Sequence, residues 1–188
     1  MNTILQRLGI FALCILLSGC PYESDIPIDS PSIPINPELL GIWKPVNNQD
    51  FFMDVTRQDE FKYHAKLFRF NPGMTTTAIA KYLSSASDSS EVYYKWGDYD
   101  AFASVVDGVT FLNIREARAN SSKFLLCKIE IKSEGMVVLS AVSNQIAERF
   151  SSGDSLRAFI AENMKNSFFF QRHELSLINE TRIVELGE

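Results

Sequence analysis

Histidine and cysteine are scarce in this chain: its 188 residues include two histidines and three cysteines. His64 and His173 are too far apart to give a metal-ligand spacing, so the sequence predicts neither a metal site nor a cofactor. His64 alternates with lysines on the polar face of a predicted strand. His173 is adjacent to Glu174, which places the two side chains on opposite faces of any strand. We therefore expect no histidine-based catalysis.

Basic residues are also too few for a nucleic-acid-binding protein. The 18 lysines and arginines are outnumbered by 23 acidic residues, and the formal net charge is −5. A phosphate backbone selects for clustered positive charge, so this balance argues against nucleic acid as a partner. The serine-rich stretch at 83–90 lacks the G-x-S-x-G pattern, so the sequence gives no hydrolase signal. We expect a protein that is not an enzyme.

The first 19 residues have the features of a signal peptide. Arg7 precedes an apolar stretch, Leu8–Leu17, that is too short to span a bilayer. The stretch ends in Leu17-Ser18-Gly19-Cys20, which resembles the lipobox of bacterial lipoproteins. The resemblance implies cleavage before Cys20, a diacylglyceryl thioether on its sulfur and usually acylation of the new amine. A plain signal peptide, or an anchor helix with a chance cysteine, is the alternative.

Lipidation at Cys20 would fix the location of the protein. Each buried methylene contributes about 0.8 kcal/mol, and two or three acyl chains make membrane anchoring durable. Enterobacterial lipoproteins that stay in the inner membrane tend to carry aspartate after the cysteine, whereas this chain has Pro21. The resemblance therefore favours the outer membrane of the cell envelope.

Residues 20–37 are rich in proline, with five of the seven prolines of the chain. Proline removes hydrogen-bond donors and favours extended geometry, so such a segment could reach on the order of 50 Å at about 3.1 Å per residue. We interpret it as a tether. The alternation of Ile26, Ile28, Ile33 and Ile35 keeps open a second interpretation, in which the segment is an arm docked on the domain.

Residues 38–188 have the length of one domain, and short segments of period two dominate them. Turn residues at Asp107-Gly108 and elsewhere separate these segments, which predicts an antiparallel meander. Leu156, Phe159, Ile160 and Met164 predict a late helix capped by Asp154, with a shorter helix from Asn144 to Phe150 before it. The predicted strands are Ile42–Val46, Phe51–Thr56, Phe61–Phe70, Thr75–Tyr82, Val92–Trp96, Ala101–Val106, Val109–Arg115, Phe124–Ile131, Met136–Val142 and His173–Ile178.

Two short motifs resemble those of lipocalins. Gly41-Ile42-Trp43 is similar to the G-x-W that opens the lipocalin barrel, and Asp98-Tyr99 is similar to the later T-D-Y, with Gly97 in place of threonine. Arg115 and Arg118 are candidates for the arginine of the third motif. The resemblance implies a mainly β, lipocalin-like antiparallel barrel with one or two C-terminal helices packed on it. A β-sandwich is the alternative fold.

Other candidate residues have ordinary structural interpretations. Cys127 shares a predicted strand face with Leu125 and Ile129 and behaves as a small hydrophobe, without the partnered histidine that a thiol nucleophile needs. Asp98 and Asp100 supply too few oxygen ligands for calcium.

Two aromatic segments are candidates for contact with a partner. If the domain has a partner surface, we expect it at Tyr93, Tyr94 and Trp96, because tyrosine and tryptophan are enriched at interfaces. The run Phe168–Phe170 is interpreted as filling the space between the helix and the sheet, with a one-sided interaction patch as the alternative.

Two functional hypotheses follow from these observations. The first is a non-catalytic lipoprotein that binds an envelope protein partner or supports an envelope assembly. The second, implied by the lipocalin resemblance, is a carrier of a lipid or small apolar ligand inside the barrel. The interior of an eight-stranded barrel is just wide enough to hold one small ligand or to be filled by side chains alone.

Overall fold

The computed structural model describes residues 21–47, 50–70, 93–117, 123–133 and 135–180. Across these ranges a 3-10 helix covers Pro37–Leu39, and one α-helix, α1, covers Gly153–Asn163. The strands, in chain order, are β1 (Glu23–Ser24), β2 (Gly41–Pro45), β3 (Phe51–Arg57), β4 (Lys62–Phe70), β5 (Tyr93–Val106), β6 (Val109–Glu116), β7 (Phe124–Ser133), β8 (Met136–Ala141) and β9 (Leu175–Asn179).

Strands β2 to β9 close into an eight-stranded antiparallel barrel. Strands β2 to β8 each pair with the next strand in the chain, β9 lies between β2 and β8, and the pairing of β7 with β8 completes the circle. The short β1 adds to β7 beside the barrel through Glu23 and Ser24. The mainly β, lipocalin-like barrel expected from the sequence is confirmed, and the sandwich alternative is wrong.

The longest strand, β5, joins two segments that the sequence analysis kept apart. The described part of the first segment, Tyr93–Trp96, and the second segment, Ala101–Val106, belong to one strand of 14 residues, which pairs with both β4 and β6. A bulge at Trp96 shifts the register against β4 between Leu67 and Phe68, which breaks the simple alternation. The expected strand Thr75–Tyr82 lies outside the described residues.

The C-terminal region contains α1 but not the shorter helix expected from Asn144 to Phe150. That segment begins as a turn and then runs without regular structure. Ser143, which precedes this segment, is bonded to the chain after α1, since its amide donates to the Phe169 carbonyl at 2.8 Å. The N-cap of α1 is Ser152 rather than Asp154, with the Ser152 hydroxyl accepting from the Ser155 amide.

Alternation along the strands builds one apolar core inside the barrel and another on its outer face. The inner core takes residues from every barrel strand and includes Trp43, Tyr63, Leu112, Cys127 and Leu177. The outer core lies where α1 packs against β5, β6 and β7, and it includes Phe102, Phe111, Leu126, Leu156, Ile160 and Phe169. Strands β5 to β7 are therefore apolar on both faces, unlike a strand with one solvated side.

The proline-rich segment is packed on the barrel, so the tether interpretation is corrected to that of a docked arm, here called the N-terminal arm (residues 21–40). Tyr22 and Ile28 are buried in the outer core, and Ile26 packs against it. The Ile28 amide donates to Asn113 Oδ1 at 2.8 Å, and Asp29 forms an ion pair with Arg157 of α1. Burial of the alternating isoleucines explains why the segment does not extend into solvent.

Further along, the N-terminal arm crosses one end of the barrel. The Ile35 amide donates to the Glu60 carbonyl at 3.0 Å, and the Asn36 amide donates to the Tyr63 hydroxyl at 2.6 Å. Ile33 and Ile35 pack against the inner core, of which Leu39 in the 3-10 helix is part. The arm therefore covers this end of the barrel with apolar side chains.

The neighbouring residues Phe168 and Phe169 allow a matched test of the outer core. Phe169 is fully buried, whereas 56% of Phe168 is exposed. We expect Phe169→Ala to lower the free energy of unfolding by about 3–5 kcal/mol, because it removes a buried ring and leaves a cavity. Phe168→Ala should change it by about 0.5 kcal/mol or less. Urea denaturation of the two variants measures the difference, and equal losses would contradict this packing.

Candidate functional site

The barrel encloses a small apolar cavity. Its volume is about 100 Å³, and none of the described residues that line it is charged. The lining residues are Leu39, Trp43, Met53, Val55, Tyr63, Ala65, Leu67, Tyr99, Ala101, Leu112, Ile114, Ile129, Val137, Leu139, Leu175 and Leu177. Pockets for drug-sized ligands measure about 300–1,000 Å³, so side chains fill most of this interior. Apolar cavities of similar size stay dry and can take up a molecule such as benzene.

The two residues of the first lipocalin-like motif meet at the end of the barrel that the N-terminal arm covers. Gly41 adopts a φ of 118°, a backbone conformation that residues with a side chain rarely adopt, so the position requires glycine. Trp43 is buried in the cavity wall, and its Nε1 donates to the Leu39 carbonyl at 2.9 Å. This bond satisfies the indole N–H and ties β2 to the 3-10 helix.

The residues of the second motif lie on opposite faces of β5. Tyr99 faces the cavity, whereas Asp98 faces outward and is buried among charged side chains. A Cβ atom at Gly97 would lie only 2.4 Å from the Tyr99 ring, so glycine at the position of the lipocalin threonine lets this ring pack against the backbone. Arg115 lies on the outer surface, 3.7 Å from Asp100, and Arg118 lies outside the described residues.

The outer face of β4 and β5 holds a charge cluster that the sequence analysis missed, formed by His64, Lys95, Asp98 and Asp100. His64 Nε2 lies 3.0 Å from Asp98 Oδ1, and its Nδ1 lies 3.2 Å from Asp100 Oδ1. Lys95 Nζ donates to Asp98 Oδ2 at 2.9 Å. His64 lies on the outer, polar face of β4, as alternation predicted, but its contacts with the carboxylates leave its side chain only 25% exposed.

The register of β4 and β5 creates this cluster. His64 pairs directly with Asp100, and Lys66 pairs with Asp98. The separation of these residues in the chain gives no hint of the pairing, because the register depends on the path between the strands. The only usable signal was charge alternation, with lysines and a histidine on one strand and aspartates on the other.

The contacts of the charge cluster are those of an ion-pair network. Both imidazole nitrogens of His64 face carboxylate oxygens, so neither is directed toward solvent as a free base. Each carboxylate also contacts the cationic side chain of a neighbouring residue, Lys95 for Asp98 and Arg115 for Asp100. Among the residues that the structure describes, no group of three or more histidine, cysteine, aspartate or glutamate side chains is arranged to hold a metal ion.

Cys127 lies in the inner core, on the strand face that alternation predicted. It is 2% exposed, and burial raises the pKa of its thiol to about 12. A thiol that stays protonated at neutral pH is a poor nucleophile. The structure therefore gives Cys127 a packing role.

The three residues of the aromatic interaction hypothesis have different surroundings. Tyr93 packs edge-on against Phe52 and Phe68, with ring centroids 5.6 and 5.3 Å apart. Trp96 packs against the buried cluster that contains Tyr99, with the Arg69 guanidinium 5.2 Å above its ring. Tyr94 is the most exposed of the three. An interaction surface at this place stays a prediction.

The phenylalanine run is split between the outer core and the surface. Phe169 fills the space between α1 and the sheet, as expected for the run, whereas Phe168 faces a surface groove. The groove is also lined by Ser143, Asn144, Gln145, Arg172 and the exposed His173. Cys20 lies outside the described residues, but Pro21, which follows it, forms a β-bridge with Ser143 beside this groove.

The raised pKa of the Cys127 thiol predicts an alkaline loss of stability. In the unfolded chain the thiol titrates near its ordinary pKa of about 8.5. The contribution of the protonated thiol to stability should therefore be complete below about pH 8.5 and fall as the pH rises toward 12.

Chemical denaturation at several pH values, with Cys127→Ala as the control, measures this dependence, which should be weaker in the variant. Peptide mapping after treatment with a thiol reagent at pH 8 should find Cys127 unmodified in the folded protein and modified after unfolding. Rapid modification of the folded protein would contradict the assignment.

Comparison with known proteins adds no relative to these observations. No family model, no curated protein and no solved structure matches this chain. The interpretation of the site therefore depends on the residues described above.

Proposed function

We propose that the protein is a lipid-anchored component of a bacterial cell envelope whose barrel is a non-catalytic binding or scaffolding module. The observation that carries the proposal is the sequence Leu17-Ser18-Gly19-Cys20, followed directly by a segment that packs on the barrel. Acylation of Cys20 would attach the barrel to the membrane through a docked arm. By the same lipobox resemblance, Pro21 at the next position favours the outer membrane.

The docked arm limits how far the barrel can move from its anchor. A free chain of this length would let the domain range over tens of ångströms. Here Tyr22 donates its amide to the Val142 carbonyl at 2.9 Å and its hydroxyl to the Glu148 carbonyl at 3.1 Å. With lipid on Cys20, the barrel would therefore work close to the membrane surface, where an envelope protein partner could be met.

A non-catalytic role is supported by the state of the candidate chemical groups. The Cys127 thiol is buried with a pKa near 12, and both nitrogens of His64 face carboxylates. Of the lining residues that the structure describes, none is charged and so able to move a proton or stabilise developing charge in the cavity. These groups favour binding over catalysis.

A second candidate function is the transport or sensing of a small apolar ligand, favoured by the cavity in the barrel. About 100 Å³ is less than the roughly 150 Å³ of an engineered apolar cavity that binds benzene. A ligand there would be a small ring or a short alkyl group, and a whole lipid would require the barrel to expand.

The anchor is tested by comparing the wild type with Cys20→Ser in a bacterial host. We expect the wild type to fractionate with the membrane, to incorporate a palmitate analogue and to show an intact mass that includes lipid on Cys20. The variant should lose the label, because the thioether needs the sulfur atom. An unlipidated mature wild type that begins at another residue would contradict the proposal.

The binding role is tested in the same strains by crosslinking intact envelopes. The wild type should be recovered joined to a second envelope protein, and the recovery should fall for Cys20→Ser, because the variant is no longer concentrated at the membrane. Recovery of the lipidated protein only as an unpartnered monomer would argue against a binding or scaffolding role.

The second candidate is tested with benzene as a probe of the cavity. Benzene should raise the thermal unfolding midpoint of the wild type, because a ligand bound only by the folded state stabilises it. Ala101→Leu fills space in the cavity and should abolish this shift, whereas Ala158→Leu on the exposed face of α1 should retain it. An unchanged midpoint in the wild type would rule out the cavity as a ligand site.

A further inference from the structure

The attachment point of the N-terminal arm fixes where a lipid on Cys20 would leave the barrel. Consecutive Cα atoms are about 3.8 Å apart, so Cys20 lies within one residue of the bridge between Pro21 and Ser143. The hydrogen bond from the Tyr22 amide to Val142 continues this pairing. The anchor therefore leaves from one defined side of the molecule.

The segment beside this attachment point carries the most exposed large hydrophobic side chain in the described part of the chain. Ser143 donates its amide to the Phe169 carbonyl at 2.8 Å, and paired segments lie about 4.8 Å apart. Phe168, the neighbour of Phe169, is 56% exposed. The bridge from Pro21 to Ser143 and the bond from Ser143 to Phe169 each span about this distance. The backbone of Phe168 therefore lies within roughly 10 Å of Pro21.

Arginine side chains accompany Phe168 on this side of the molecule. Arg172 lines the same groove, and the Arg149 guanidinium lies 5.6 Å from the ring centroid of Tyr22. Acids near these positions in the chain include Glu23, Asp25, Glu148 and Glu174. Glu23 forms an ion pair with Lys123 at 3.3 Å, and Glu174 accepts a hydrogen bond from the Ser140 hydroxyl at 2.8 Å. A phenylalanine with adjacent arginines is suited to a bilayer surface, since the ring enters the interface and the cations meet anionic headgroups.

We propose that this anchor-side surface (Ser143, Asn144, Gln145, Phe168 and Arg172) lies against the bilayer that holds the lipid of Cys20, with Phe168 inserted at the interface. The inference rests on the proposed lipidation and adds an orientation to it. Because the arm is docked, the anchor keeps this surface at a high effective concentration next to the headgroups, so even a weak contact forms. The rest of the barrel then faces away from the membrane.

The test uses the lipidated full-length protein in vesicles of phosphatidylcholine and phosphatidylglycerol. Phe168→Trp places a fluorescent reporter on the anchor-side surface, and Asn144→Trp is a second reporter there. Ile131→Trp is the control, since Ile131 is 46% exposed but lies five residues along β7 from Leu126, which accepts the Val142 amide. That separation is about 17 Å along the strand.

We expect the emission added by Phe168→Trp to shift to the blue in vesicles and to be quenched by lipids brominated on the acyl chain. The emission added by Ile131→Trp should show neither change. Spectra are taken as differences from the wild type, which contains Trp43 and Trp96, and thermal unfolding confirms that each variant is folded.

The outcomes separate this inference from the proposed function. A lipidated, vesicle-bound protein in which neither anchor-side reporter is quenched overturns the orientation and leaves the anchor intact. Equal quenching of the Ile131→Trp control also overturns it, since no single face would then meet the lipid. A mature protein without lipid on Cys20 contradicts both the anchor and the orientation.

Discussion

The pairing of β7 with β8 is the constraint on which the rest of the structure depends. It converts a meander into a barrel, so that every barrel strand pairs with a neighbour on each side. Closure gives the strands an inside, and alternation then directs residues such as Trp43, Tyr99 and Cys127 into one apolar interior. β7 also extends past the end of β8 and pairs there with β1, which attaches the N-terminal arm.

The outer face of the barrel is used as fully as the interior. Phe102, Phe111 and Leu126 point away from the axis and are covered by α1 and by the N-terminal arm. Asn113 is buried in this outer layer, where its side chain accepts from Ile28 and donates to Ser104 at 2.9 Å. A buried amide that loses a partner is costly, so this contact favours one position of the arm over a mobile segment. Under the proposed lipidation, this arm would be the physical link between the lipid at Cys20 and the orientation of the barrel.

The chemistry of the described residues is consistent with binding at a surface. In the most polar cluster, on the outer wall, His64 contacts both Asp98 and Asp100, and each aspartate also contacts a lysine or an arginine. The interior is apolar and small. What distinguishes one side of the molecule is the combination of the anchor position, the exposed Phe168 and neighbouring arginines.

The sequence by itself determined the class of fold and most strand positions, because period-two alternation and turn residues such as Asp107-Gly108 are local signals. It also predicted the inward face of Cys127 and contained the motif that resembles a lipobox. Only the tertiary structure decided the course of the N-terminal arm, since proline content is compatible with both a tether and a docked arm. The structure likewise decided the partners of His64, because strand register depends on contacts distant in the chain. Only the tertiary structure could also show that Phe169 is buried and Phe168 exposed, since adjacent identical residues differ only in what packs against them.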